Sequence, residues 1–329
     1  MHSLPGGSKF KIIITQFNNY SKFLIQLFCG LYRREFMYSI FLIFVAVIPA
    51  IILCSYVYIK DRVEKEPFSL LLKLFFFGAL CCFPAMVLEL IFEIILRLFF
   101  AENILNLIDL SDSSNYNFAC YLYIVLHNLF VVAIVEEGCK FFVLYKFTKK
   151  SKEFDSMFDG IIYAVFVSLG FAALENIFYV IENGITVGIL RAVLSVPGHM
   201  FFAVMMGYFY SRCHIKDKAK MLENSLIKRG IIYNNKPLFN SKKESMLSLI
   251  IPIALHSTYN SCCSSGTTLS NVLLVVLVVF MYVYCFKKII TVSKFDTYEN
   301  TYIMYMMKNK YQELNVINNN ENSQLPENV

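Results

Sequence analysis

Residues 134–142, IVEEGCKFF, place two carboxylates and an ammonium group inside a long apolar run. That run, near residues 119–145, exceeds the roughly 20 residues that an α-helix needs to cross a ~30 Å hydrocarbon core. Its apolar residues follow one another continuously, whereas the strands of a membrane barrel would alternate. The stretch therefore predicts a membrane-spanning helix that carries charge in its interior.

The rest of the chain has the same character. Of its 329 residues, 57% are hydrophobic and only 16% are charged, which is far more apolar than a soluble domain requires. We expect an all-α, polytopic transmembrane bundle of seven to eight spans. The predicted spans lie near residues 36–59, 68–90, 119–145, 158–181, 190–211, 246–264 and 270–288. The apolar segment that begins at Phe68 is too long for one straight span, so we expect part of it to tilt, to break near Pro84 or to leave the membrane.

Loop charge predicts the orientation. Lys and Arg concentrate after the third and fifth spans, whereas residues 101–118 contain none, and basic loops stay in the cytoplasm. We expect an integral protein of the plasma (cytoplasmic) membrane. Residues 1–35 form a basic segment that is either an interfacial helix or a weak eighth span, centred on residues 12–32. Residues 36–290 form the membrane-embedded domain, and residues 291–329 a cytoplasmic tail that is largely disordered.

Ionisable side chains inside a membrane are costly and normally face a bundle interior or a water-filled cavity. We estimated their depth by counting residues from the cytoplasmic end of each span at about 1.5 Å per residue. The depths are roughly 18 Å for Glu137, 24 Å for Glu175, 20 Å for His199 and 18 Å for His256. Helices that bring acids and imidazoles to one level can build a single polar site. His127 and Asp159 lack such partner spacing, and we predict structural roles for both.

Local spacing suggests roles within this site. Lys140 lies four residues after Glu136 and three after Glu137, so its ammonium can keep one carboxylate ionised while the other handles protons. Tyr179 follows Glu175 by four residues, and Asn260 follows His256 by four. Asn260 could orient the imidazole or bind an oxyanion.

Four motifs in order resemble those of the PrsW-type membrane proteases. They are VEEGCK (135–140) for the family's EExxK, FAALENIFY (171–179) for FxxxExxxY, VPGHMFFAVMMGY (196–208) with the single His, and LHSTYN (255–260) with the last His and Asn. These proteases are similar to the CAAX-processing and bacteriocin-immunity membrane protease superfamily, which uses EExxxR, FxxxH, a single His and HxxxN. Here Lys140 stands in the basic place at a shorter spacing, and Glu175 replaces the second-motif His, which makes a prenylated CAAX substrate a poorer expectation.

The resemblance implies an intramembrane endopeptidase that cleaves membrane-anchored regulatory proteins. It places Glu136, Glu137, Glu175, His199 and His256 in the catalytic site. Glu136 or Glu137 would activate water, while His256 and Asn260 would stabilise the oxyanion or donate a proton. The adjacent glutamates cannot be told apart, because 100° of helix rotation exchanges their exposure.

Cofactor and function class leave alternatives open. Glu175, His199 and His256 would make a three-ligand zinc site with an open position for water, and a metal-free glutamate mechanism is equally compatible with the motifs. The expected partners are a membrane-anchored protein substrate and the lipid bilayer, with no nucleic acid. A proton-coupled transporter would also place Glu, Lys and His at mid-depth, and a non-catalytic scaffold descended from a protease would keep the fold.

Overall fold

The structure, a computed structural model, describes residues 37–99, 118–232 and 237–322. Within these ranges the chain is all-α, as predicted, with one isolated bridge between Ser156 and Tyr298. The possible span at residues 12–32 lies outside the described residues. The helices are α1 (Met37–Lys60, from the first described residue), α2 (Phe68–Leu80), α3 (Cys82–Phe99), α4 (Phe118–Leu126), α5 (Ile134–Thr148), α6 (Asp159–Val193), α7 (Ser195–Lys228), α8 (Lys242–Ser265), α9 (Thr268–Lys294) and α10 (Glu299–Asn322). A π-helical segment, His127–Ala133, joins α4 to α5.

Helix α6 reverses direction at Gly184 and forms a hairpin. Gly184 has φ 79° and ψ −174°, a conformation that is essentially confined to glycine. Beyond it the chain runs back along itself, because Arg191 Nε donates to Asn176 Oδ1 at 3.0 Å, whereas 15 residues of straight helix would separate them by roughly 22 Å. Helix α7 continues in the returning direction, and Ser168 Oγ donates to His199 O at 3.0 Å. The stretches predicted as spans 158–181 and 190–211 are therefore antiparallel neighbours.

This hairpin is the centre of the molecule. In an apolar stretch of 18 residues within Asp159–Lys228, 78% of the residues are buried, against 11% in a stretch of the same length within Thr268–Lys294. The two arms touch where Gly160 meets Gly207, since a Cβ on Gly207 would lie 2.2 Å from Gly160 O. Small residues allow such close helix approach inside a membrane, where packing and not hydrophobic exclusion holds helices together.

Five helical stretches are long and apolar enough to cross a membrane within the described ranges. They are Met37–Lys60, Phe68–Leu98, Cys120–Thr148, Asp159–Lys228, which contains both arms of the hairpin, and Thr268–Lys294. Helix α8, predicted as a span over 246–264, is not among them, so the count of seven to eight spans stays a prediction. The break near Pro84, one of the predicted alternatives, is confirmed: α2 ends at Leu80, and Pro84 has no N–H to donate to the Leu80 carbonyl four residues earlier.

The C-terminal region differs from the predicted disordered tail. Helix α9 extends to Lys294, and Glu299–Asn322 forms α10. Its residues Ile303 and Met307 are buried, while Tyr311 OH donates to Glu223 Oε1 of α7 at 2.6 Å. These three positions, spaced by four, form one apolar stripe. The polar composition hid this stripe, because it covers a single narrow face.

A group of acids ties together three chain segments at the predicted cytoplasmic end of the hairpin. We call it the carboxyl junction, and it consists of Asp61, Glu66, Asp155, Asp159 and Asp296. Asp159 Oδ2 accepts from the backbone N–H groups of Asp155 and Ser156 at 2.8 and 2.6 Å, which confirms its predicted structural role at the start of α6. Asp296 Oδ1, from the α9–α10 connection, accepts from the backbone N–H of Phe158 at 3.2 Å.

Burial raises the pKa values of these loop acids. The pKa of Glu66 rises to about 9, first because the carboxyl group is desolvated and second because Asp159 lies nearby. Burial likewise raises the pKa of Asp155 and of Asp296 to about 6. Tyr163 OH donates to Glu66 Oε2 at 2.6 Å. Among the described residues, the five junction acids take part in hydrogen bonds and not in ion pairs.

Candidate active site

Lys140 is the centre of the polar site. Its Nζ lies 2.9 Å from Glu136 Oε2 and 2.8 Å from Glu137 Oε1, the contacts that three- and four-residue spacings allow on one helix. The third contact is His199 Nδ1 at 3.1 Å. The Lys140 and Glu137 side chains are 1% and 0% exposed. The expectation that Lys140 would hold only one of the two carboxylates is corrected: it contacts both.

Glu137 also orients His256. The imidazole Nδ1 lies 2.9 Å from Glu137 Oε1, and the ring stacks on Phe202 with centroids 4.9 Å apart at 18°. A carboxylate can only accept, so Nδ1–H donates to it. Among the described residues, Glu137 is therefore the hydrogen-bond partner that orients the His256 ring, whereas the sequence suggested that Asn260 would orient it.

The tautomer of His199 follows from its two neighbours. The Lys140 ammonium has no lone pair, so Nδ1 accepts from it and the ring proton sits on Nε2. Nε2–H then donates to Glu175 Oε2 at 3.1 Å. Both nitrogens of neutral His199 are engaged, and the ring bridges Lys140 on α5 to Glu175 on the first hairpin arm.

Arg191 completes the site, and the sequence analysis missed it. Its Nη2 lies 2.9 Å from Glu175 Oε2, and its guanidinium carbon lies 3.8 Å from the centroid of the Tyr179 ring. Arg191 precedes His199 by eight residues, which places both on one helix face. That spacing was the available signal, but the turn at Gly184 that brings Arg191 back to Glu175 was not predicted.

The site opens into a cavity of about 660 Å³. Six of the eight predicted residues line it: Glu136, Glu175, Tyr179, His199, His256 and Asn260. Glu137 and Lys140 are not among the lining residues and are fully buried behind it. The structure therefore brings the predicted residues together in one place, as their depths suggested.

Two ionisable residues for which the sequence favoured structural roles also line the cavity. The four-residue spacing of Glu89, Glu93 and Arg97 is typical of a charged stripe on one helix face, and Glu89 lines this cavity. His127 Nε2 lies 3.1 Å from Glu93 Oε2, which fits the predicted structural role, yet His127 lines the cavity as well. The signal for Glu89 was its position two turns after Cys82, which lines the same cavity.

The donor atoms present can accommodate a metal ion. Two groups have ligand atoms within 4.8 Å of one another, Glu136–Glu137–His256 and Glu136–Glu175–His199. Carboxylate and imidazole donors of this kind suit zinc, and Glu137 Oε2 is a buried acceptor with no hydrogen-bond donor among the described residues. Both groups include Glu136 and divide the two histidines. The predicted ligand set Glu175, His199 and His256 stays a prediction.

Comparisons with known proteins agree with this site. The model of the PrsW family intramembrane metalloprotease matches residues 66–286. A protein named Protease PrsW from Geobacillus kaustophilus is 36% identical over 179 residues, 54% of this chain and 69% of that relative. Proteins of the same name from Oceanobacillus iheyensis and Clostridioides difficile are 34% identical over 212 residues and 31% identical over 246 residues. These matches cover 64% and 73% of this chain and 78% and 87% of those relatives. No solved structure matches the chain.

The apolar helices and the polar cavity among them, together with these relatives, define a membrane-embedded protease. The matched region spans well over half of the sequence and contains every residue of the predicted site. The chain belongs to the PrsW family of intramembrane metalloproteases.

Proposed function

We propose that this protease is an endopeptidase that cleaves membrane-anchored regulatory proteins near or within the bilayer, with Glu136 as the general base. The observation that carries the proposal is the contrast between two adjacent glutamates. Glu136 lines the 660 Å³ cavity, whereas Glu137 is completely buried behind it. Because a base must reach the water that it activates, Glu136 fits this task and Glu137 does not.

The proposed chemistry divides between two groups: Glu136, which contacts Lys140, and the pair of Glu137 and His256, in which Glu137 also contacts Lys140. The Glu136 carboxylate takes a proton from a water molecule in the cavity, and the resulting hydroxide attacks the scissile carbonyl carbon. Lys140 keeps Glu136 and Glu137 ionised in a low-dielectric surrounding by contacting both. Asn260, which lines the cavity, can donate its amide N–H to the oxyanion that forms.

His256 then donates a proton to the leaving amine. Its Nδ1–H donates to Glu137, so when Nε2 receives the proton that Glu136 took from water, Glu136 is ionised again and the buried Glu137 carboxylate stabilises the imidazolium that forms. Nε2–H donates this proton to the amine nitrogen as the C–N bond breaks. Glu137 is thus an orienting residue for His256 and not the base.

A metal ion fits the same donors. It would be held by Glu136 with either Glu137 and His256 or Glu175 and His199, and when bound it would polarise the carbonyl and acidify the water. The roles given above to Lys140 and Asn260 involve only side chains of this protein and do not require a metal ion.

The location we propose is the plasma (cytoplasmic) membrane, with the carboxyl junction on the cytoplasmic side. The support is the concentration of Lys and Arg in residues 149–152 and 212–243, since basic loops stay in the cytoplasm. The cavity residues Glu136 and Glu175 then lie deep in the bilayer, where a membrane-anchored substrate can reach them laterally.

Mapping of new protein termini in cell membranes tests the function. Membranes would carry the wild-type chain, Glu136→Gln, Glu137→Gln or His256→Ala at matched expression, and mass spectrometry would locate new termini near membrane segments. We expect such termini with wild type, none with Glu136→Gln, and reduced numbers with Glu137→Gln. Identical termini for wild type and Glu136→Gln would overturn the proteolytic proposal. Termini that persist in Glu136→Gln and vanish in Glu137→Gln would reverse the assignment of the base.

A further inference from the structure

We propose that Arg191 is a positioning residue that fixes the Glu175 carboxylate and, through it, the orientation of the His199 ring. Neither the family motifs nor the sequence pattern assigns Arg191 a role. The proposal rests on the proposed function for its catalytic consequence but has a structural readout of its own.

Three contacts in different directions hold the guanidinium. Nε donates to Asn176 Oδ1 at 3.0 Å, Nη2 lies 2.9 Å from Glu175 Oε2, and the plane covers the Tyr179 ring at 3.8 Å. The Nη2 contact with Glu175 is an ion pair without hydrogen-bond geometry. A planar guanidinium can donate to one acceptor, pair with a second and stack on an aromatic face together, which a lysine cannot do equally. The guanidinium therefore has little freedom to rotate.

The anchor of this arrangement lies in a separate helix. Asn176 is fully buried, and its Nδ2 donates to the backbone oxygen of Ala46 in α1 at 3.0 Å. The turn at Gly184 delivers Arg191 to the same level on the returning arm. Arg191 consequently links α1 and both hairpin arms at the level of the site.

The consequence falls on His199. Its ring has one partner on each nitrogen, the Lys140 ammonium at Nδ1 and the Glu175 carboxylate at Nε2. The Glu175 side chain is 18% exposed toward the cavity, so without Arg191 it can rotate into the water there. Nε2–H would then lose its acceptor, and the ring would lose the contact that sets its orientation. Arg191 acts through Glu175, because its described contacts are with Glu175, Asn176 and Tyr179.

The competing interpretation is that Arg191 supplies only a positive charge. Arg191→Lys separates the two, because lysine keeps the charge but cannot contact Asn176 and Glu175 together in the plane of Tyr179. If positioning matters, Arg191→Lys and Arg191→Gln should both be impaired. Arg212→Gln is the matched control, since that guanidinium donates to Tyr208 OH far from the cavity.

Two measurements test the proposal on full-length protein in lipid nanodiscs. The first is ¹⁵N NMR of histidine-labelled protein, in which the signals of His199 are those lost in His199→Asn. We expect the wild type to show a His199 Nε2–H that is hydrogen-bonded to Glu175, and both Arg191 variants to show a shifted His199 Nε2 signal from loss of this hydrogen bond, with His256 unchanged. The second is the rate of cleavage of a membrane-anchored reporter that contains a cut site found by terminus mapping. For it we expect kcat to fall on the order of 10–100-fold with KM within about threefold, the size typical for outer residues of a site.

Several outcomes would overturn the proposal. His199 signals that are unchanged in Arg191→Gln would do so, as would an Arg191→Lys variant that matches wild type in both measurements. If Arg191→Gln does not fold, Asn176→Ala removes the Nε acceptor while Arg191 and Glu175 remain, and an unchanged His199 signal there would also contradict the proposal. Absence of cleavage by wild type, together with a shifted His199 Nε2 signal in the variants, would reject the proposed function and leave the positioning role standing.

Discussion

Two clusters of largely buried acids lie at different levels of the helix bundle, and they solve the problem of burying carboxylates in opposite ways. At the level of the cavity, Glu136 and Glu137 share Lys140, and Glu175 pairs with Arg191. At the carboxyl junction, the described hydrogen bonds of the buried acids come from hydroxyl and backbone N–H groups. Cations keep acids charged in a low dielectric, whereas burial without a cation favours the neutral form.

The difference separates a chemical site from a structural joint. The cavity cluster adds two imidazoles and a cavity of about 660 Å³, so its charged groups can exchange protons with a substrate. None of the five junction acids lines that cavity. Instead they connect the α1–α2 loop, the start of α6 and the α9–α10 connection. The number of buried acids alone would therefore not have distinguished the candidate active site from the carboxyl junction.

The largest expected effect comes from removing the cation of the cavity cluster. Lys140→Met leaves two buried carboxylates without their ammonium, which typically costs about 3–5 kcal/mol. We expect loss of proteolysis and a clear drop in thermal stability in detergent. Lys146→Met, on the exposed side of the same helix, is the control and should keep both. A stable and active Lys140→Met would show that the cavity acids do not need the cation.

The next effect concerns pH at the junction. The folded pKa of Glu66 is raised to about 9 from 4.5, so its contribution to stability is complete below the unfolded pKa and is lost as pH rises through about 9. We expect the amides of residues 155–158 to exchange hydrogen faster at pH 9 than at pH 6, after correction for intrinsic rates. Glu66→Gln, a neutral isostere, should remove much of this dependence while keeping proteolysis. Exchange that slows with rising pH would contradict the assignment.

A smaller effect is expected where the two arms of the hairpin touch. Gly207→Ala places a methyl group 2.2 Å from Gly160 O and 2.6 Å from Ile161 Cα, and overpacking of this kind costs roughly 1–3 kcal/mol. Gly138→Ala is the contrasting variant, because its Cβ meets nothing within 4 Å and helix propensity favours alanine by about 0.5–1 kcal/mol. Thermal unfolding of both proteins would check the opposite signs. Equal stabilities would mean that the arms are not in contact there.

The smallest effect is the loss of one hydrogen bond at the junction. Tyr163→Phe removes the hydroxyl that donates to Glu66 Oε2, and such bonds are worth about 1 kcal/mol net. Cleavage should continue at the wild-type rate, since Tyr163 lies outside the cavity lining. A strong loss of activity with unchanged stability would instead show that the carboxyl junction affects the cleavage reaction.

The sequence by itself determined the class of the molecule. Continuous apolar runs require helices in a membrane, because every backbone polar group must be satisfied within its own segment. The prediction that Glu137, Glu175, His199 and His256 lie at similar depth followed from the fixed rise of a helix, and the order of the motifs indicated the protease family before any contact was known. These properties are local, or they depend only on counting residues along a helix.

Only the tertiary structure decided which groups meet and which of them face the cavity. Adjacent residues such as Glu136 and Glu137 differ by 100° around the helix, so neighbouring helices and not the sequence determine which one is exposed. The pairing of Arg191 with Glu175 depends on the reversal at Gly184, and the docking of α10 depends on a stripe of three apolar residues. The physical reason is that helix rotation and chain reversal are fixed by contacts between residues far apart in sequence, which no local pattern specifies.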